Sequence, residues 1–148
     1  MGYYMRFILT GEDETRMRDL EAGLKKVDGS YQITNVELLP YESGELRHGD
    51  ALLGEVEINR PADPEELDEL REEVEECGAS TEEQQAVLSV VNQATSIIAV
   101  RVLRQGRNSE EVLEEINPLW DWLFANRKGL LHADADGFYD ASGLILEA

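Results

Sequence analysis

Apolar residues recur along this chain with two distinct periods, and the switches between them outline its elements. Tyr3 to Thr10 is rich in aromatic and branched residues and predicts a strand, broken at Gly11. Glu12 to Val27 sets Met17, Leu20, Leu24 and Val27 on one helical face. Acids crowd its first turn and Lys25-Lys26 its last, an order that suits the helix dipole. After an Asp28-Gly29 turn, Tyr31 to Leu39 predicts a second strand, and Pro40 through Gly44 a loop that extends towards Gly49-Asp50. Ala51 to Asn59 alternates Leu52, Val56 and Ile58 against Glu55 and Glu57, the pattern of a sheet with a wet face.

Pro61 and Pro64 end that strand and open a helix, with Asp63 as N-cap and Pro64 at the first helical position. Leu67, Leu70, Val74 and Cys77 form a narrow apolar stripe in it, and Gly78 stops it. Thr81 followed by Gln84 resembles a capping box and starts a helix that runs towards Ala94. Ser96 to Arg104 is almost continuously apolar and predicts a central strand. Asn108 with Glu111 caps a helix carrying Val112, Leu113, Ile116, Leu119, Trp120, Leu123 and Phe124 at three-and-four spacing. Pro118 makes this either one kinked helix or two consecutive ones. Leu130–His132 and Leu144–Leu146 predict two short strands around a turn-rich loop. The expected class is therefore α+β, one domain over residues 1–148. Its portion through Leu103 has the β-α-β-β-α-β order of a ferredoxin-like sandwich, followed by an extra C-terminal helix and β-hairpin.

Composition changes this picture mainly through charge. The chain has 148 residues, 42% of them hydrophobic, enough for one core, and a net charge of −19. So negative a molecule is a poor partner for nucleic acid or an anionic membrane and a good one for a basic protein. Its only lysines are Lys25, Lys26 and Lys128, and that balance equally suits solubility in concentrated salt. No apolar run is long enough to span a membrane, and the N-terminus has no signal-peptide pattern. Cys77 is alone, which excludes an intramolecular disulfide and leads to an expectation of a reducing, cytoplasmic setting.

Candidate chemistry is sparse. Phosphate-binding glycine patterns, a nucleophile elbow and zinc spacings are all missing, so no catalytic residue and no cofactor is expected. Asp134, Asp136 and Asp140 are weak metal candidates beside Gly137. Set on the calcium-loop template with Gly137 at the glycine position, the first and last ligands would be His132 and Gly143, so turn chemistry explains them better. Cys77, continuing an apolar stripe, reads as a buried inert thiol.

Arg101 interrupts an apolar strand. Strand alternation in the sandwich would put Tyr4, Arg6, Glu55, Glu57 and Arg101 on a sheet face without helical cover. Tyr4, Arg6 and Arg101 there would hold a small anionic ligand, or else form a solvated salt-bridge ladder. The acidic helix offers Glu65, Glu66, Asp68, Glu69, Glu72, Glu73, Glu75 and Glu76 as a field for a basic partner, with Trp122, off the main apolar stripe, as an anchor; packing of Trp122 within the chain is the alternative. The leading expectation is a non-enzymatic binding or regulatory module for a basic protein. The alternatives are an anionic-ligand binder or enzyme on the open sheet face, and an obligate homodimer.

Overall fold

The computed structural model of the chain describes residues 3–77 and 81–147. Its elements in chain order are β1 (Tyr3–Thr10), α1 (Met17–Val27), β2 (Tyr31–Glu37), β3 (Glu42–His48), β4 (Ala51–Asn59), α2 (Pro64–Glu76), α3 (Thr81–Asn92), β5 (Ala94–Val102), α4 (Ser109–Asn126), β6 (Lys128–Ala133), β7 (Gly137–Asp140) and β8 (Gly143–Glu147). The strands join in one sheet of order β2-β3-β4-β5-β1-β6-β7-β8, with every neighbouring pair antiparallel. This is a mixed α+β architecture.

Two strand–helix–strand units interlock at its centre. β1 and β4 run parallel with β5 between them, and β5 and β6 run parallel with β1 between them. Helix α1 lies on the path from β1 to β4, and α4 joins β5 to β6. Both helices pack on one sheet face, over Phe7, Leu9, Val56, Ile98, Val100 and Leu131. The pair α2–α3 covers part of the other face, over Ile8, Ile97, Leu130, Phe138 and Leu146. β5 and β1 are thus buried on both faces over Ile97–Ile98 and Phe7–Leu9, which accounts for their continuous apolar runs.

Several expectations change. The segment expected to be a loop after Pro40 contains β3, and part of the loop before Leu144 forms β7. The C-terminal region expected as an appendage supplies α4 and β6, and β6 pairs directly with β1. In β4 a register shift opposite Leu46/Arg47 brings Leu53, rather than Leu52, into the core with Val56 and Ile58. Helix α1 starts only at Met17, because the Glu42 carboxylate accepts from the Met17 N–H while Asp19 accepts from that of Arg16. Val27, expected on its buried face, is exposed at its end. Pro118 sits within a single helix α4, and the Tyr31 hydroxyl donates to the Glu115 carbonyl at 2.6 Å in the turn it disturbs. Gly78 and the side chain of Thr81, expected at a helix stop and a capping box, lie outside the described residues.

Candidate functional site

The face opposite α1 and α4 is covered unevenly. Register sets two rows across it: Glu45, Glu55, Arg101 and Tyr4 in one, Ser43, Glu57, Ala99, Arg6, His132 and Phe138 in the next. The five residues expected on one face, Tyr4, Arg6, Glu55, Glu57 and Arg101, do share it. That face is not bare throughout, because α2 and α3 close its β1–β6 side and leave the β2–β4 side open.

Arg6 stands at the border. Its guanidinium bonds Asp134 at 2.8 Å and Glu66 of α2 at 3.1 Å, and it lies over the Tyr4 ring. Burial alone would depress this guanidinium, but the hydrogen bonds and charges of Asp134 and Glu66 hold it above its ordinary value. Next to it His132 is 1% exposed, with Glu73 Oε2 2.8 Å from Nε2 and Arg6 3.4 Å from Nδ1. Burial pushes the His132 pKa down, helped by Arg6 and opposed by Glu73, so the ring is neutral near pH 7. An acceptor Nδ1 beside Arg6 assigns the proton to Nε2, on the Glu73 side.

Glu66 and Glu73, seven residues apart, lie on one helical stripe: Glu66 turns inward and fastens α2 to Arg6, while the largely exposed Glu73 brings one carboxylate oxygen close to His132. Glu65, Glu69, Glu72 and Glu76 point to solvent, so the eight acids of α2 do not form one uniform docking face. The signal for this was present only as the spacing of Glu66 and Glu73 beside Leu70 and Val74. Its partners Arg6 and His132 lie on strands that no local pattern connects to it.

Arg101 bonds Glu55 at 2.6 Å, which raises its pKa. Neither Arg101 nor Arg6 is therefore an unpaired cation waiting for an anion. The open side of the face is instead rich in carboxylates: a concavity of about 320 Å³ is lined by Asn35, Glu37, Tyr41, Ser43, Glu45, Glu55 and Glu57. Glu45 and Glu55 are directly opposite each other across β3 and β4. Such a like-charge pair weakens a sheet unless cations intervene, as Arg47 and Arg101 partly do.

The remaining candidates occupy ordinary structural places. Trp122 is half-buried against α1, filling the space where Gly23 has no Cβ, with Arg127 over its ring. Asp134 and Asp136 are engaged by Arg6 and by the Tyr3 hydroxyl, and Asp140 caps Ser142. Among the described residues no three Asp, Glu, His or Cys side chains are grouped as a metal would require. Cys77 is half-buried rather than fully so, its thiol donating to the Val74 carbonyl. No helix among the described residues is long and apolar enough to cross a membrane.

A second imidazole site escaped the sequence reading altogether. His48, stacked on Tyr31 at 4.1 Å, bonds Glu115 at 2.7 Å through Nδ1 and Asp28 at 3.0 Å through Nε2. Arg107 closes the chain on the other oxygen of Glu115. The bond to Asp28 outweighs the cost of burial and, with the bond to Glu115 added, raises the His48 pKa. Comparison with protein-family models, with characterised proteins and with solved structures finds no match for this chain.

Proposed function

We propose that this is a non-catalytic binding module whose partner is a basic protein segment, received on the open side of the second sheet face and the adjoining outer surface of α2. The observation that carries the reading is the run Glu45, Glu55 and Glu57 on adjacent strands, on the side of the face that α2 and α3 leave open. A lysine or arginine laid there would relieve the opposed carboxylates at little desolvation cost, because the face stays wet at its rim. The net charge of −19 supports the same choice by steering cations towards the molecule. The anionic-ligand alternative loses support, since the guanidinium groups it needs are already paired.

We also read β1-α1-β4-β5-α4-β6 as a ferredoxin-like sandwich, its strands standing in the order β6-β1-β5-β4. The hairpin β2–β3, the pair α2–α3 and the hairpin β7–β8 are then additions to it. The lone thiol of Cys77 supports a reducing, cytoplasmic setting.

The test is calorimetric titration with a lysine-rich peptide at low and high salt. Binding should weaken steeply with salt and fall sharply in the double variant Glu55→Gln/Glu57→Gln. The control double variant Glu110→Gln/Glu114→Gln, which removes the same charge from exposed α4 positions, should bind nearly as well as the parent. Equal losses in both variants, or no binding at low salt, would overturn the assignment.

A further inference from the structure

At one end of the sheet lies a cleft of about 890 Å³, a size that suits a small ligand. It opens where β1 begins, β5 ends, β6 turns into β7 and α4 starts. Tyr3, Val102, Leu103 and Leu113 give it an apolar floor. Arg104 lines one side, exposed, its guanidinium making no ion pair or hydrogen bond among the described residues. Asp136 lines the other: one carboxylate oxygen accepts from the Tyr3 hydroxyl at 3.0 Å, and the other is free of hydrogen bonds among the described residues. β5 and β6 flank β1, so strand spacing sets the ends of those two strands, from which the turns carrying Arg104 and Asp136 leave, roughly 10 Å apart.

Two turns hold the charged groups there under backbone strain. Gln105, next to Arg104, has φ 51°, and Ala135, next to Asp136, has φ 64°. These are two of the three described non-glycine residues in the left-handed region, and both line this cleft. Such conformations are costly for residues with a Cβ and tend to gather where geometry serves a ligand.

We propose that the cleft binds a small zwitterion with an apolar body, of the α-amino acid class. Its carboxylate lies towards Arg104, its ammonium towards Asp136, and its side chain on Val102, Leu103 and Leu113. A plain anion would have to enter the field of a molecule carrying −19 charges, whereas a zwitterion brings no net charge and meets each of its poles with a matching group. The groups named here differ from those of the basic-partner reading, and the two sites meet only at Arg101, which lines the cleft and is bonded to Glu55.

The experiment is calorimetric and ligand-observed NMR titration with L-leucine and L-phenylalanine, beside their N-acetyl and carboxamide derivatives. Saturable binding of the parent amino acids is expected, weakened about tenfold or more when either charge is removed. Arg104→Ala and Asp136→Asn should each cause a similar loss, and Arg104→Lys should retain part of the affinity. Asp136→Asn also disturbs the bond from Tyr3, so if it lowers Tm the exposed and unpaired Arg104 decides alone. Absence of saturable binding, derivatives that bind as well as the parents, or undiminished binding by Arg104→Ala would each overturn the proposal.

Discussion

Arg6 joins the sheet, the β6–β7 turn and α2 through one guanidinium, and its removal leaves two half-buried carboxylates facing each other. Arg6→Leu is expected to cost about 2 kcal/mol, less than breaking a fully buried pair because all three groups keep some water. Urea unfolding checks this, and an unchanged midpoint would remove Arg6 from its role as the fastening point. His48 supplies a pH dependence of definite sign. Its pKa is raised in the fold above an unfolded value near 6.5, so its stabilisation is complete below that pH and drains away as pH climbs through the folded pKa. His132 acts oppositely: kept neutral by burial, it costs stability as pH falls below about 6.5. Comparing parent with His48→Gln cancels the second effect, since both proteins retain His132. The Tm gap between them should be wider at about pH 6 than at about pH 9, and a gap that stays constant would show that His48 does not titrate as its partners require.

At the scale of elements, the joint between α1 and α4 depends on a missing side chain. A Cβ at Gly23 would lie 2.4 Å from the Trp122 ring, so Gly23→Ala must push the indole outward. Destabilisation of about 1–3 kcal/mol is expected, with a red shift of tryptophan emission; emission that stays put would contradict the packing. Helix α2 carries its own strain in Glu65/Glu69, Asp68/Glu72, Glu69/Glu73 and Glu72/Glu76 at i,i+4. Glu69→Lys turns its contacts with Glu65 and Glu73 from repulsive to attractive and should stabilise by about 0.5–1 kcal/mol, read as a rise in Tm.

The same scale explains which elements could be read from the sequence. β1, β5 and the stripe of α4 announce themselves because tertiary burial follows their local period. β3 does not: of Glu42–His48 only Leu46 joins the core, since Gly44 must lie bare beneath Ile33, whose methyl a Cβ would meet at 2.6 Å, and the other face is wet. A strand that needs so little apolar surface looks like a loop. The Arg6–Glu66–His132 cluster was hidden for a different reason. Its members are ordinary surface residue types, and only the pairing of β1 with β6 and the seating of α2 bring them together.

For the whole molecule, charge sets the main expectation. With a net charge of −19, mutual repulsion opposes compactness, so Tm should rise as salt increases from about 10 mM, where the Debye length is about 30 Å, to about 1 M, where it is about 3 Å. A Tm independent of salt would mean that the ion pairs of Arg6, Arg16, Arg101 and Arg107 already balance the repulsion locally. The α+β class and most helix positions were legible. The connectivity was not, because nothing in Lys128–Ala133 reveals that its partner is the first strand of the chain rather than a neighbouring hairpin.

That partnership governs how the protein can be made. Phe7 faces Ile98 on one flank and Leu131 on the other, so during synthesis β1 must wait for β5 before one flank is satisfied and for β6 before the second is. Until β5 arrives the Phe7-Ile8-Leu9 run is a sticky ribbon, and until β6 arrives one of its edges stays open to chaperones and to other nascent copies. Completion of the sheet is thereby postponed until β6 has been made, and a message cut short ahead of β6 yields a product that aggregates rather than a smaller working version.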